Sequence, residues 1–250
     1  MTETTARFAA LDAAFDAALG PLRAHDERPV VLFSGGVDSG LLAWELRAHP
    51  HARLFTVGRS GCADLRRAEA AVASIGLPWS SIELEGQDLE DLERRLTSDG
   101  PPLEVGQRGI LLALAAGFGH APPGRLVLGQ GVDELFLGYA HFRGLSPAQA
   151  RERSEADLAR LLDRDVPCTL ACARRFGREV SCPYLDPSFL GAARAFAIEE
   201  HLPGELTKPL FREFARHRGL PEALAGAPKK AIQYGSGVDR WLARRAAGRS

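Results

Sequence analysis

The stretch that most limits the fold is Pro29-Val30-Val31-Leu32-Phe33, followed without a spacer by Ser34-Gly35-Gly36-Val37-Asp38-Ser39. An unbroken apolar run has no polar side to turn toward water, so it suits a strand covered on both faces, as in parallel sheets. The Leu-rich segment after the loop, from Leu41, reads as a helix. A glycine-rich turn between a strand and a helix start is a place for an anion. The glycines let the backbone approach closely, successive N–H groups point inward, and the helix start adds favourable partial charge. Ser34 and Ser39 add hydroxyl donors. Asp38 would repel bare phosphate, so its presence suggests a bridging Mg2+. The loop has neither Walker spacing nor a Lys-Ser/Thr ending. It suits pyrophosphate better than a transferred terminal phosphate.

The alternation continues. Segments 53–58, 80–85 and 125–129 read as strands, and 64–76, 87–97 and 106–119 as helices. Gly76 is placed to end the helix before it, with Pro78 just beyond. Before the first strand, Phe8, Leu11, Phe15, Leu19 and Leu22 fall at helical spacing, predicting a helix over 7–24. The expected fold class is therefore α/β, a parallel sheet with helices on both faces and ligands at the carboxyl ends of the strands. Beyond about residue 145 the pattern turns mainly helical. We expect a single domain over 1–250, with a nucleotide-binding core over about 1–145 and a mainly helical part over about 146–250 that completes the cleft.

The chain has 250 residues, 45% of them hydrophobic and 25% charged, with a formal net charge of -1. That balance gives no global field toward nucleic acid or an anionic membrane, so a nucleic-acid partner is not expected. No apolar run approaches the roughly 20 residues of a membrane helix, and the first residues lack a basic region ahead of a long apolar stretch. The expected location is cytoplasmic. Cys62, Cys168, Cys172 and Cys182 lack the paired spacing of a zinc site and read as reduced, buried thiols.

Phe33 to Ser39 resembles the PP-loop of the ATP pyrophosphatase superfamily, whose members include asparagine synthetase, β-lactam synthetase, GMP synthetase, NAD synthetase and several tRNA-modifying enzymes. Within it, Gly129-Gln130-Gly131-Val132-Asp133-Glu134-Leu135-Phe136-Leu137-Gly138-Tyr139 is similar to the asparagine synthetase pattern G-E-G-x-D-E-x-F-x-G-Y. Glu179 to Asp186 is similar to E-x-R-x-P-F-L-D, and Lys208 to Arg212 to K-x-x-L-R. The resemblance implies an adenine nucleotide α-hydrolase-like fold and an ATP-dependent amide-forming ligase that releases AMP and pyrophosphate. It implies Mg2+ on Asp38 and Asp133, and pyrophosphate held by Ser34, Gly35, Gly36 and Ser39. Gly131 would touch the nucleotide, and adenine would lie against the backbone of Val57 and Gly58. Lys229, ahead of Gly235-Ser236-Gly237, would neutralise the leaving group. Glu179 would be a candidate base.

The sequence also departs from that pattern. Gln130 stands where the family has glutamate, and an amide orients by hydrogen bonds but cannot act as a general base. Ser181 and Ala227 replace arginines, which puts aspartate in doubt as the acceptor. Met1-Thr2 does not match the catalytic cysteine that opens the family's glutamine-hydrolysing half. The expected partners are a small-molecule carboxylate and ammonia or another amine, with a separate glutaminase or other subunit as a further source of nitrogen. Two rival readings remain: adenylation of another metabolite or a nucleic-acid base, and a non-catalytic ATP-binding subunit.

Overall fold

In the computed structural model, which describes residues 3–98, 105–227 and 232–248, the apolar run becomes β1 (Pro29–Leu32), the central strand of a five-stranded parallel sheet. β1 pairs on one side with β2 (Arg53–Arg59) and on the other with β4 (Arg125–Val127). β3 (Trp79–Leu84) extends the first side and β5 (Val180–Ser181) the second, giving the order β3-β2-β1-β4-β5.

The strands carry apolar side chains on both faces, as a covered sheet requires. Val31, Leu54 and Val127 enter one core with Phe8, Phe15, Phe211 and Phe214. Their chain neighbours Val30, Phe55 and Leu126 enter the other with Leu112, Phe118 and Trp241. This period of two is the pleat itself.

Helices fill both faces. α1 (Glu3–Leu19) precedes the sheet, α2 (Val37–Glu45) follows β1, and α3 (Ala63–Ile75) follows β2. α4 (Gly86–Thr97) and α5 (Val105–His120) follow β3, and α6 (Val132–Leu135) follows β4. α7 (Pro147–Arg160) and α8 (Val166–Arg175) are joined by a π-helical turn, Leu161–Asp165. After β5 come α9 (Pro187–Arg194), α10 (Ile198–His201), α11 (Pro209–His217), α12 (Glu222–Ala225), α13 (Ile232–Gly235) and α14 (Val238–Ala246). Among the described residues, no helix is long and apolar enough to cross a membrane.

Two local readings are corrected. The helix expected over 7–24 ends at Leu19 and tightens into a 3-10 turn, Gly20–Arg23, where Pro21 lacks the N–H that would continue it. The sheet also gains β5, whose two residues are too few to show a period in the sequence.

Candidate active site

Both glycine-rich loops leave carboxyl ends of central strands and meet. In the first, Gly35 has φ +69, and a Cβ there would lie 2.5 Å from the backbone carbon of Arg67 in α3. Only glycine fits, and the loop is pressed against α3 while its other side stays open. Gly36 caps α2. The Ser34 N–H donates to Ser39 Oγ at 3.2 Å, and the two hydroxyls lie 3.3 Å apart. Gly129 of the second loop packs on Asp38, where a Cβ would sit 3.2 Å from the Asp38 Cβ. Gly131 has φ +100 with Leu185 filling the space a side chain would need. Thus Ser34, Gly35, Gly36, Asp38, Ser39, Gly131 and Asp133 are brought to one place.

What joins the two loops is a lysine. Lys208 is 0% exposed, and its Nζ donates to Asp38 Oδ1 and Oδ2 at 2.5 and 2.6 Å and lies 3.1 Å from Asp133 Oδ1. Burial pulls the ammonium down, but Asp133 and Asp38 outweigh it and hold Lys208 above its ordinary value. Lys208 sits in the left-handed region, φ 60, just before Pro209 opens α11. Buried Arg212, one turn on, donates to the carbonyls of Thr207 at 2.8 Å and Ala227 at 2.9 Å, which pins the turn that aims Lys208. Tyr184 donates to the Asp38 carbonyl at 2.8 Å from within the aromatic core. Lys208 was matched to a pattern in the sequence but given no role; a lysine wedged between a turn and Pro209 was the available signal.

Gln130 lines the cleft between two donors and acceptors of its own size. Its Nε2 donates to Thr169 Oγ1 at 3.2 Å, and the Cys182 thiol points to its Oε1 at 3.6 Å. Burial pushes Cys182 up to about 12, so the thiol stays protonated and can donate. Glu134 is buried and accepts from the Tyr139 hydroxyl at 2.5 Å. Burial and the neighbouring carboxylates hold the Tyr139 phenol far above its usual range. A cleft of about 210 Å3 opens above these groups, walled by α5, α8 and the π-helical turn.

Three expected residues stand apart from this cluster. Glu179 is corrected: it lies one residue before β5, beside Arg125 at the start of β4, and pairs with Arg125 Nη2 at 2.9 Å. In a parallel sheet that is the edge opposite the loops, and its side chain is 73% exposed. Val57 and Gly58 lie at the carboxyl end of β2, outside the cleft lining. A Cβ on Gly58 would be 3.2 Å from the Ser236 carbonyl, so the chain approaches this strand end closely. Lys229 lies outside the described residues.

Asp38 and Asp133 are hard oxygen donors on facing loops, and against one ammonium they leave net negative charge. That donor set fits Mg2+ shared with phosphate oxygens. Among the described residues, no group of three or more His, Cys, Asp or Glu side chains is placed to hold a metal without such help.

The sequence pattern of the asparagine synthase family matches residues 10–166 and 143–249. The chain belongs to the asparagine synthase family. A Methanocaldococcus jannaschii protein assigned as a glutamine-hydrolysing asparagine synthetase is 26% identical over 256 residues, covering 85% of this chain and 46% of that protein. The glutamine-hydrolysing asparagine synthetase of Mesocricetus auratus is 27% identical over 235 residues, covering 88% of this chain and 42% of that one. The chain thus spans less than half the length of these relatives. An NH3-dependent NAD synthetase from Campylobacter jejuni superposes with a TM-score of 0.37 at 15% identity, covering 78% of this chain and 94% of that one.

Proposed function

We propose that this chain is the synthetase unit of an ATP-dependent amide-forming ligase that activates a carboxylate as an acyl-adenylate. The observation that carries the reading is the meeting of Asp38 and Asp133 over the buried Lys208, beside an open glycine-rich loop.

ATP lies with its β and γ phosphates on the backbone N–H groups and hydroxyls of Ser34, Gly35, Gly36 and Ser39. Gly131 touches the nucleotide, adenine is held near Val57 and Gly58, and Lys229 faces the pyrophosphate. Asp38 and Asp133 hold Mg2+, which when bound neutralises charge on the phosphates. Lys208 keeps the two carboxylates in place and cancels part of their repulsion. A substrate carboxylate oxygen then bonds to the α phosphorus, and the bond from that phosphorus to the β-phosphate oxygen breaks. Pyrophosphate leaves. An amine nitrogen, simplest as ammonia, bonds to the acyl carbon; the bond to AMP breaks and one proton passes to solvent. Gln130 orients the acyl group through its amide, held by Thr169 and Cys182. Catalysis here is positioning and charge neutralisation.

The test is release of AMP and pyrophosphate from Mg-ATP with and without candidate acids and ammonium. Asp38→Ala is expected to abolish pyrophosphate release. Full activity in that variant sinks the assignment.

A further inference from the structure

We infer that the carboxylate activated here belongs to a molecule with an apolar body and no second negative charge, and not to aspartate. The inference rests on the ligase reading above. Past Gln130 the cleft is closed by Leu161, Cys168 and Thr169 on one side and by Ile110, Leu111 and Leu114 of α5 on another. The lining includes Asp38, Asp133, Glu134 and Asp165, and among the described residues it holds no Lys, Arg or His. Lys208 lies beneath this surface and is engaged with Asp38 and Asp133. Asp165 is fixed by Gln107 Nε2, which donates to its Oδ1 at 2.7 Å.

The two positions where the family pattern has arginine supply no charge either. Ser181 ends β5, next to the Cys182 that contacts Gln130. Ala227 offers only its carbonyl, already bonded to Arg212. A second carboxylate on the substrate would leave water to face Asp165 and Glu134, with no lining cation in return. The reacting carboxylate avoids that cost, because it points toward the phosphate end. An aliphatic or aromatic body gains by covering the α5 and α8 side chains.

Binding and chemistry are read separately. Calorimetry with Mg2+ and an α,β-methylene ATP analogue compares hexanoate and phenylacetate with succinate and L-aspartate. ATP–pyrophosphate exchange is then measured with each acid. The expected result is that hexanoate or phenylacetate binds at least about tenfold tighter than either dicarboxylate. The inference is overturned if succinate or aspartate binds as tightly, or if none of the four binds while the nucleotide does. If an apolar acid binds but no acid supports exchange, the ligase reading fails and the specificity stands. Cys168→Lys adds a cation to the lining, and a shift of about tenfold toward succinate is expected. The wild-type panel decides the matter by itself should that variant not fold.

Discussion

Lys208 shows how a single buried charge can be both structural and functional. Removing one member of a buried ion pair leaves its partners desolvated, at a cost of about 3–5 kcal/mol. Lys208→Met is therefore expected to lose about 3 kcal/mol in urea unfolding, with part of it recovered in millimolar Mg2+ as Asp38 and Asp133 regain a cation. Unchanged stability in this variant would refute the pairing. The lysine's partners were legible because both stand in glycine-rich loops after apolar strands. Its own role was not, since a lysine more than 70 residues downstream of Asp133 shows contact with neither in a one-dimensional pattern. Glu179 failed for the opposite reason: its type was right, but one residue of strand direction put it at the wrong edge. His201 carries a pH dependence. It is 3% exposed and stacked on Phe136 at 5.3 Å, and burial lowers its pKa. The unfolded chain therefore takes up this proton first as pH falls. The His201 contribution is present in full above the ordinary histidine value of about 6.5 and is lost as pH drops below it toward the folded value. Urea midpoints at pH 7.5 and 5.5 should separate more in the wild type than in His201→Phe.

At the scale of elements, the second loop is built around contacts that exclude side chains. Leu137 adopts φ 55, and the Gly138 N–H returns to the Asp133 carbonyl at 2.7 Å. A Cβ on Gly138 would fall 2.0 Å from Asp133 Oδ1, so the turn that follows α6 presses directly on a carboxylate of the site. Gly138→Ala must displace that carboxylate. A shift of about 1 Å in a catalytic group costs on the order of a hundredfold, so pyrophosphate release should fall by about that factor with nucleotide-free stability much less affected. Near-wild-type turnover would show that Asp133 does not need its present position. The parallel strands and the helices after them were legible, because buried strands are apolar throughout and amphipathic helices repeat at 3.6 residues. β5 was not, because two residues carry no period and its place in the sheet depends on β4. The break after Leu19 was visible in Pro21 but was overridden by apolar spacing that continues through Leu22.

Across the whole molecule, one arginine ties distant parts of the chain to the helix that begins at the phosphate loop. Arg218, just past α11, donates to Glu45 Oε1 and Oε2 at 2.9 and 2.8 Å, to Asp16 Oδ1 at 2.8 Å and to Asp12 Oδ1 at 3.1 Å. The Glu45 hydrogen bonds raise its pKa most, against burial, so it is cationic at every working pH. Glu45 ends α2 while Asp38 lies in its first turn, so the clamp holds the far end of the helix whose start bears the site. Asp16 is 47% exposed and contributes little, whereas Glu45 is only 8% exposed and keeps one other cation, Arg23, at 2.7 Å. Arg218→Met should therefore cost about 2 kcal/mol, near the price of weakening one buried charge. In a chain of this size that is a fall in Tm of roughly 4–8 °C. The difference from wild type should narrow in 1 M salt, where the exposed part of the network is already screened. Pyrophosphate release below the melting range should be unchanged, since no group of the cleft is touched. A large loss of activity with Tm intact would instead mean that α2 transmits the clamp to Asp38, and that the loop depends on the far end of its helix for its shape.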